Sequence, residues 1–160
     1  MIFRKTEIKD IKEVAEIYGV ARSFMKETNN PSQWANGYPT LEDINSDVKE
    51  GCSYVVEEDG QLIAVFYFRI GNDKTYDKIY EGEWINGEPY AVIHRVAVRC
   101  AGRGLVGKIF DYCYSQYPNL KIDTHIDNIP MQRALIKNGF ARCGIIYLEN
   151  GDERIAYQKC

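Results

Sequence analysis

The stretch from Val92 to Phe110 constrains the fold and the chemistry of this chain more than any other part. It starts as an apolar strand, passes through a short basic turn that contains Gly102 and Gly104, and continues from Leu105 as an amphipathic helix. Such a junction brings free backbone N–H groups, the positive end of a helix dipole and basic side chains to one place, which suits a pyrophosphate. The alternative is that both glycines only allow a tight turn.

The rest of the chain alternates short strands and amphipathic helices, without repeats or linkers. Apolar periodicity and turn residues predict the order β-α-α-β-β-β-α-β-α-β-β. The dipeptides Asp59-Gly60 and Asn150-Gly151 each predict a hairpin between two strands. This pattern predicts a single domain, residues 1–160, of the mixed α/β (α+β) class, with a mostly antiparallel central sheet flanked by helices.

Charge and cysteine content narrow the class of protein. The formal net charge of −3 gives no reason to expect nucleic acid or a membrane surface as a partner. The five cysteines form no Cys-x-x-Cys pair and no metal-like cluster with the two histidines. We therefore expect free thiols, no metal and a cytoplasmic location. The first residues carry no signal-peptide core, and no apolar run is long enough to span a bilayer.

The order of elements, together with two motifs, resembles the GNAT superfamily of N-acetyltransferases over nearly the whole chain. The acetyl-CoA loop of that family, Arg/Gln-x-x-Gly-x-Gly/Ala, is similar to residues 101–106, with Gly104 at the main glycine position. Ala101 replaces the usual Arg or Gln, and Val106 replaces the second small residue. The formula also fits residues 99–104, but the first register is preferred because it keeps the apolar face of the following helix in place.

A second family motif, Asn-x-x-Ala-x-x-Leu-Tyr-x-Lys-x-Gly-Phe, resembles residues 128–140. The tyrosine of that motif often protonates the departing CoA thiolate in the family, and here its position is Leu135. Tyr112 and Tyr147 are alternative acids, or core residues. The resemblance thus supports acyl-CoA binding more than it supports the usual general acid. The matching residues are Asn128, Lys137, Gly139 and Phe140.

The resemblance implies a splayed pair of parallel strands at the cofactor site, ending near Val98 and Thr124. The pantetheine arm of acetyl-CoA would pair with the strand edge at residues 96–98. Backbone N–H groups around residues 103–108 would hold its pyrophosphate. The implied acetyl-CoA-binding residues are Val96, Ala97, Val98, Gly102, Arg103, Gly104, Leu105, Val106, Gly107, Lys108 and Asn128.

Two histidines are candidate catalytic residues. An amine must be deprotonated to attack a thioester, and since a lysine-like amine has a pKa of about 10.4, a base assists at neutral pH. By simple alternation, His94 shares the strand face of Val96 and Val98, where it can be that base or a hydrogen-bonded structural histidine. His125 lies at the end of the next strand, and can act as acid or base or cap the following helix.

Four aromatic residues lie in loops that border the acceptor side in this family: Trp34, Tyr38, Trp84 and Tyr90. They would wall a pocket for a small amine or a peptide N-terminus through cation–π contacts. The alternative is that they fix long loops to the body of the protein. The connection over residues 71–89 is long enough to favour a functional role.

These observations predict an acetyl-CoA-dependent N-acetyltransferase, in which a primary amine attacks the thioester directly in a ternary complex. A backbone N–H near Val96 would polarise the thioester carbonyl. A non-catalytic acyl-CoA-binding module or sensor is the alternative, motivated by Leu135. The acceptor is expected to be a small-molecule or peptide amine, but the sequence does not identify it. The sequence does not define the oligomeric state either; a homodimer formed through the last hairpin is one arrangement.

Overall fold

A seven-stranded sheet organises the computed structural model, which describes residues 1–160. The spatial order is β1-β2-β3-β4-β5-β7-β6, and β4–β5 is the parallel pair. The predicted element order and the mixed, mostly antiparallel sheet are confirmed. The strands are β1 Ile2–Lys5, β2 Ser53–Glu58, β3 Gln61–Ile70, β4 Ala91–Val98, β5 Leu120–Thr124, β6 Ala141–Tyr147 and β7 Glu153–Lys159. The helices are α1 Ile11–Glu27, α2 Leu41–Lys49, α3 Leu105–Gln116 and α4 Ile129–Lys137.

Local sequence signals explain where these elements start and turn. Thr40 and Asp43 form a capping box at α2, in which the Thr40 Oγ1 accepts from the Asp43 N–H at 3.2 Å. The Asn128 Oδ1 caps α4 by accepting from the Met131 N–H at 3.1 Å. Asp59 and Gly60 have φ of 51° and 77°, as a two-residue type I′ hairpin requires.

Helices cover both faces of the sheet. On one face α3 and α4 bury a core that includes Ile93, Phe110 and Leu135, each fully buried. On the other face α1 and α2 pack on Val65 and Ala97. Each fully buried large side chain of this kind contributes about 1.5–3 kcal/mol relative to exposure. The sheet is therefore held from both sides, except where β4 and β5 separate.

The parallel pair β4–β5 is joined along only part of its length. Ala91 pairs with Leu120 and Val92 pairs with Lys121, after which the two strands diverge. The remainder of β5 continues to pair with β7. The edge of β4 from residue 93 to residue 98 therefore lacks a neighbouring strand on that side, which confirms the predicted splayed pair.

A bulge in β4 changes which residues share a face. Tyr67 pairs with His94 whereas Val65 pairs with Ala97, so β4 carries one extra residue in this interval. Arg95 has φ of 50° at this point, and beyond it Val96 packs on the core under α3 and α4. The predicted common face of His94 with Val96 is wrong, because the bulge shifts the alternation by one residue.

None of the helices is both long and apolar enough to cross a membrane. All five cysteines are free, as predicted from their number and spacing. Cys113 lies on the buried face of α3, where burial raises the pKa of its thiol.

Candidate active site

Two cavities meet where β4 and β5 separate. The wide cavity encloses about 750 Å³ and is lined by side chains of β4, β5, β7 and the 32–38 loop. The narrow cavity encloses about 400 Å³ and is lined by residues 96–107, α1 and α4. Four residues line both cavities: Met25, Val96, Asn128 and Met131. A molecule in one cavity therefore approaches a molecule in the other at Val96.

The start of α3 presents unpaired backbone donors to the narrow cavity. The first hydrogen bond at this end runs from the Lys108 N–H to the Gly104 carbonyl at 3.3 Å, and the N–H groups of residues 105–107 have no partner in the protein. Gly102 and Gly104 have φ of 81° and 67°, and an added Cβ at either would meet nothing within 4 Å. Glycine is thus needed for the backbone conformation of this turn. The unpaired N–H groups at the start of α3 line the narrow cavity, in a position that suits an anion.

Three cations line the narrow cavity, and two of them have partners. The Arg99 guanidinium lies 3.3 Å from the Glu13 carboxylate, and that of Arg103 lies 2.9 Å from the Glu58 carboxylate. The Arg103 side chain is 52% exposed, so this pair contributes little to stability and leaves Arg103 able to exchange partners. Lys137, in the last turn of α4, forms no ion pair and is free to meet an anion.

Gly107 serves the packing of two helices. A Cβ there would come within 2.8 Å of the Asn138 Oδ1, whose amide already donates to the Ala134 carbonyl at 2.7 Å. The absence of a side chain therefore lets α3 approach the end of α4. The two helices together line one side of the narrow cavity.

His94 lies in the wide cavity and is oriented by a carboxylate. Its Nε2 is 2.8 Å from the Asp73 Oδ2, and the Thr75 N–H donates to the Asp73 Oδ1 at 3.0 Å. Burial raises the pKa of Asp73, but the hydrogen bonds from His94 and Thr75 outweigh it and hold that pKa below its ordinary value. Because an ionised carboxylate only accepts, we assign the ring proton to Nε2, which leaves a lone pair on Nδ1.

A second carboxylate lies beside that lone pair. The Asp123 Oδ2 is 3.9 Å from the His94 Nδ1 and accepts from the Tyr76 hydroxyl at 2.7 Å. Burial and the charge of Asp123 raise the pKa of Tyr76, so the phenol stays a donor. A separation of 3.9 Å is too long for a hydrogen bond. The arrangement places a free base next to a carboxylate that attracts cations.

The bulge residue Arg95 builds one wall of the same cavity. Its Nε and Nη2 atoms each donate to Asp47 at 2.8 Å, and its Nη1 donates to the Tyr38 hydroxyl at 2.9 Å. The guanidinium also lies 4.6 Å from the centre of the Tyr67 ring. This bidentate pairing neutralises the Arg95 charge and stabilises the left-handed backbone of the bulge.

Of the four predicted aromatic residues, the structure brings two into the cavity. Trp34 and Tyr38 line the wide cavity, whereas Trp84 and Tyr90 do not. The Trp84 Nε1 donates to the Tyr76 carbonyl at 2.9 Å, and the Tyr90 hydroxyl accepts from the Asp73 N–H at 2.9 Å. These two residues attach the 71–89 connection to the body of the protein, which fixes the backbone of Asp73.

The structure also separates the two predicted histidines. His125 lines neither cavity, and its Nδ1 accepts from the Asp127 N–H at 3.0 Å in the turn before α4. Lys108 likewise lines neither cavity and is exposed. The remaining predicted cofactor residues line the narrow cavity: Val96, Ala97, Val98, Gly102, Arg103, Gly104, Leu105, Val106, Gly107 and Asn128.

Several charged residues that line the cavities had no role predicted from the sequence, among them Asp73, Asp123, Lys137 and Arg154. Asp123 had a local signal, since it lies near the end of a predicted strand. Asp73 had a weaker one, because it lies in a connection that is unusually long. Arg154 had none, since its position depends on how the last hairpin pairs with β5.

Comparison with protein-family models gives no match, and comparison with curated proteins gives none either. Solved structures do match. A GNAT-family acetyltransferase from Streptococcus agalactiae 2603 is 32% identical, with a TM-score of 0.91 over 99% of this chain and 94% of that chain. The chain therefore belongs to the GNAT family and is an acetyltransferase.

Two more distant structures share the fold. A GNAT-family acetyltransferase from Listeria monocytogenes 4b F2365 is 17% identical, with a TM-score of 0.74 over 99% of this chain and 93% of that chain. The aminoglycoside acetyltransferase AAC(6')-Ib, solved with coenzyme A and kanamycin, is 19% identical, with a TM-score of 0.67 over 98% and 92%. At these identities the likeness concerns architecture alone.

Proposed function

We propose that residues 1–160 form one N-acetyltransferase domain, which transfers the acetyl group of acetyl-CoA to a primary amine by direct attack in a ternary complex. The observation that carries this proposal is the junction of the two cavities at Val96. An acyl donor in the narrow cavity and an amine in the wide cavity would meet at that residue, which replaces a bimolecular encounter by a positioned one.

The lining of the narrow cavity supports acetyl-CoA as the acyl donor. The open edge of β4 at residues 96–98 offers backbone groups to the amides of the pantetheine arm. The unpaired N–H groups of residues 105–107 and the ammonium of Lys137 suit the pyrophosphate. When bound, acetyl-CoA supplies an acetyl group already activated as a thioester.

In the wide cavity, the chain prepares the amine for attack. Asp123 attracts the ammonium form to the edge of His94, and the Nδ1 lone pair of His94 takes the proton. Asp73 keeps the other ring nitrogen protonated and stabilises the imidazolium that results, as the carboxylate of a catalytic triad does. General-base assistance of this kind is worth about 10²- to 10⁴-fold in rate.

On the cofactor side, the chain provides no tyrosine as a general acid. No tyrosine lines the narrow cavity, and Leu135 is fully buried in the core. Tyr112 stacks on Phe3 with ring centres 4.7 Å apart, and Tyr147 lines neither cavity. A thiol with an ordinary pKa of about 8.5 is a fair leaving group without such an acid.

Two measurements test the proposal in turn. Acetyl-CoA should raise the melting temperature, since a ligand at a hundred times its Kd adds about 2.7 kcal/mol of stability. The absence of a shift at millimolar acetyl-CoA would reject the cofactor. Thiol release is then followed over a panel of amino acids, polyamines, aminoglycosides and peptide N-termini. Release that never exceeds the hydrolysis background would leave an acyl-CoA-binding protein without transferase activity.

A further inference from the structure

Arg154 is a buried cation without a carboxylate partner. The residue is 7% exposed and lines the wide cavity. Its guanidinium makes one hydrogen bond, from Nη1 to the Glu153 carbonyl at 2.9 Å, and no carboxylate lies within 4 Å of it. A guanidinium has five N–H donors, and burying it without an anion is costly. Most of its donors are therefore available to a molecule in the cavity.

The sheet places Arg154 on the same face as Asp123, the carboxylate beside His94. Asp123 of β5 pairs with Ala156 of β7, and Arg154 precedes Ala156 by two residues, so it lies on the same face as Asp123. His94 of β4 approaches Asp123 from the other side. Diagonal neighbours in an antiparallel pair lie about 7–8 Å apart, which a small molecule spans.

The wide cavity contains two arginines, and only one of them has a carboxylate partner. Asp73 and Asp123 surround His94, whereas the other arginine of the cavity, Arg95, is neutralised by two hydrogen bonds to Asp47. Arg154 is thus the cation that remains. Two further acids of the cavity, Glu149 and Asp152, lie in the turn of the last hairpin, are exposed, and are more than 4 Å from the Arg154 guanidinium.

We propose that Arg154 binds a carboxylate of the acceptor, so that the acceptor is a free amino acid or a similarly small amino-carboxylate. This rests on the proposed function, because it takes the amine to lie at His94 and Asp123. The planar guanidinium holds a carboxylate through two parallel hydrogen bonds. Such a contact fixes the other end of the molecule and directs the amine toward Val96.

The test compares each amino acid with its own amide. Thiol release from acetyl-CoA is measured for L-amino acids of differing side chain, for the corresponding amino amides, and for diamines and aminoglycosides. We expect kcat/KM for the best amino acid to exceed that for its amide by about 10- to 100-fold, the worth of a charge-assisted hydrogen bond pair. The ratio should fall toward one in Arg154→Gln, mainly through KM, and recover in part in Arg154→Lys. The control variant Arg142→Gln removes an exposed arginine of β6 that lines neither cavity, and should keep the wild-type ratio.

A second readout does not depend on turnover. Calorimetric titration of the CoA-bound protein with the same amino acids should show binding that Arg154→Gln weakens by a similar factor. If Arg154→Gln fails to fold, the ratio of kcat/KM for the amino acid to that for its amide, measured on the wild-type protein, still tests the proposal. A preference for amides, diamines or aminoglycosides, or an unchanged ratio in a folded Arg154→Gln, would overturn the carboxylate site while leaving the transferase in place. If no amine causes thiol release from acetyl-CoA, the transferase proposal is rejected. The carboxylate site is then tested by calorimetry alone, through the difference in amino-acid binding between wild type and Arg154→Gln.

Discussion

The Nε2 of His94 lies 2.8 Å from the Oδ2 of Asp73, two residues that are 21 positions apart in the chain. The histidine comes from the interior of β4, and the aspartate from the long connection that precedes this strand. The contact sets the tautomer of His94 and aims its Nδ1 at Asp123 and the space where an amine would lie. The chemistry of the site thus depends on how a loop is attached to the sheet.

His94→Ala should lower kcat by about 10²- to 10⁴-fold, because the general base is removed. The pH–rate profile should also change, while the affinity for acetyl-CoA stays near the wild-type value because His94 does not line the narrow cavity. Steady-state kinetics across pH, together with calorimetry of acetyl-CoA binding, measure both. An unchanged pH–rate profile would remove His94 as the base.

Asp73→Asn should reduce stability in a pH-dependent way. The pKa of Asp73 in the folded protein lies below the ordinary value of about 3.9 for an unfolded chain. The ionised form therefore stabilises the fold above about pH 4, and this contribution is lost as the pH falls further toward the folded pKa. We expect the variant to be less stable by about 1–3 kcal/mol at pH 7 and the difference to shrink below about pH 4.

Urea unfolding of both proteins between pH 7 and pH 3 measures that difference. Asp111→Asn is the matched control, since Asp111 is exposed on α3 and forms no ion pair. A difference between wild type and Asp73→Asn that stays constant over this range would mean that the His94–Asp73 contact does not stabilise the ionised form.

The order of elements was predictable because its signals are local. Asp59-Gly60 specifies a hairpin, Asn128 caps a helix, and Thr40 pairs with Asp43 three residues later. The separated parallel strands were expected from the family resemblance, and β4 and β5 do diverge after two paired positions.

The bulge at Arg95 had no such signal. Arginine does not favour a φ of 50°, and this conformation is held by Asp47 and Tyr38, which lie 48 and 57 positions away. Alternation along the strand consequently gave the wrong face for His94. The partners of His94 escaped prediction for the same reason, since only the folded connection brings Asp73 to it.

Gly104→Ala should weaken acetyl-CoA binding beyond its cost in stability. Gly104 has φ of 67° with open space around a would-be Cβ, and Gly60, in a hairpin remote from the narrow cavity, has φ of 77° and similar space. Alanine at either position should cost about 1–2 kcal/mol of stability, since both force a left-handed backbone.

Only Gly104→Ala should also lower the affinity for acetyl-CoA, because it disturbs the N–H groups at the start of α3. Urea unfolding of both variants and calorimetric titration with acetyl-CoA make the comparison. Equal affinities in the two variants would argue against a pyrophosphate site at this turn.

Gly82→Ala should disturb the attachment of the loop that carries Asp73. The 71–89 connection pairs with β6 through two hydrogen bonds of 2.8 Å between Tyr80 and Ile145. A Cβ at Gly82 would overlap the carbonyl of Cys143, so backbone has to move, which costs about 1–3 kcal/mol. Gly87 belongs to the same connection, and a Cβ there would meet nothing within 4 Å, which makes Gly87→Ala the matched control.

The consequence for catalysis follows from the contact between Asp73 and His94. If the attachment of the connection positions Asp73, Gly82→Ala should lower both the urea midpoint and kcat, while Gly87→Ala should leave both near wild type. The KM for acetyl-CoA should change little in either variant, because neither glycine lines the narrow cavity. A loss of stability in Gly82→Ala with a wild-type kcat would show that His94 acts without the support of this loop.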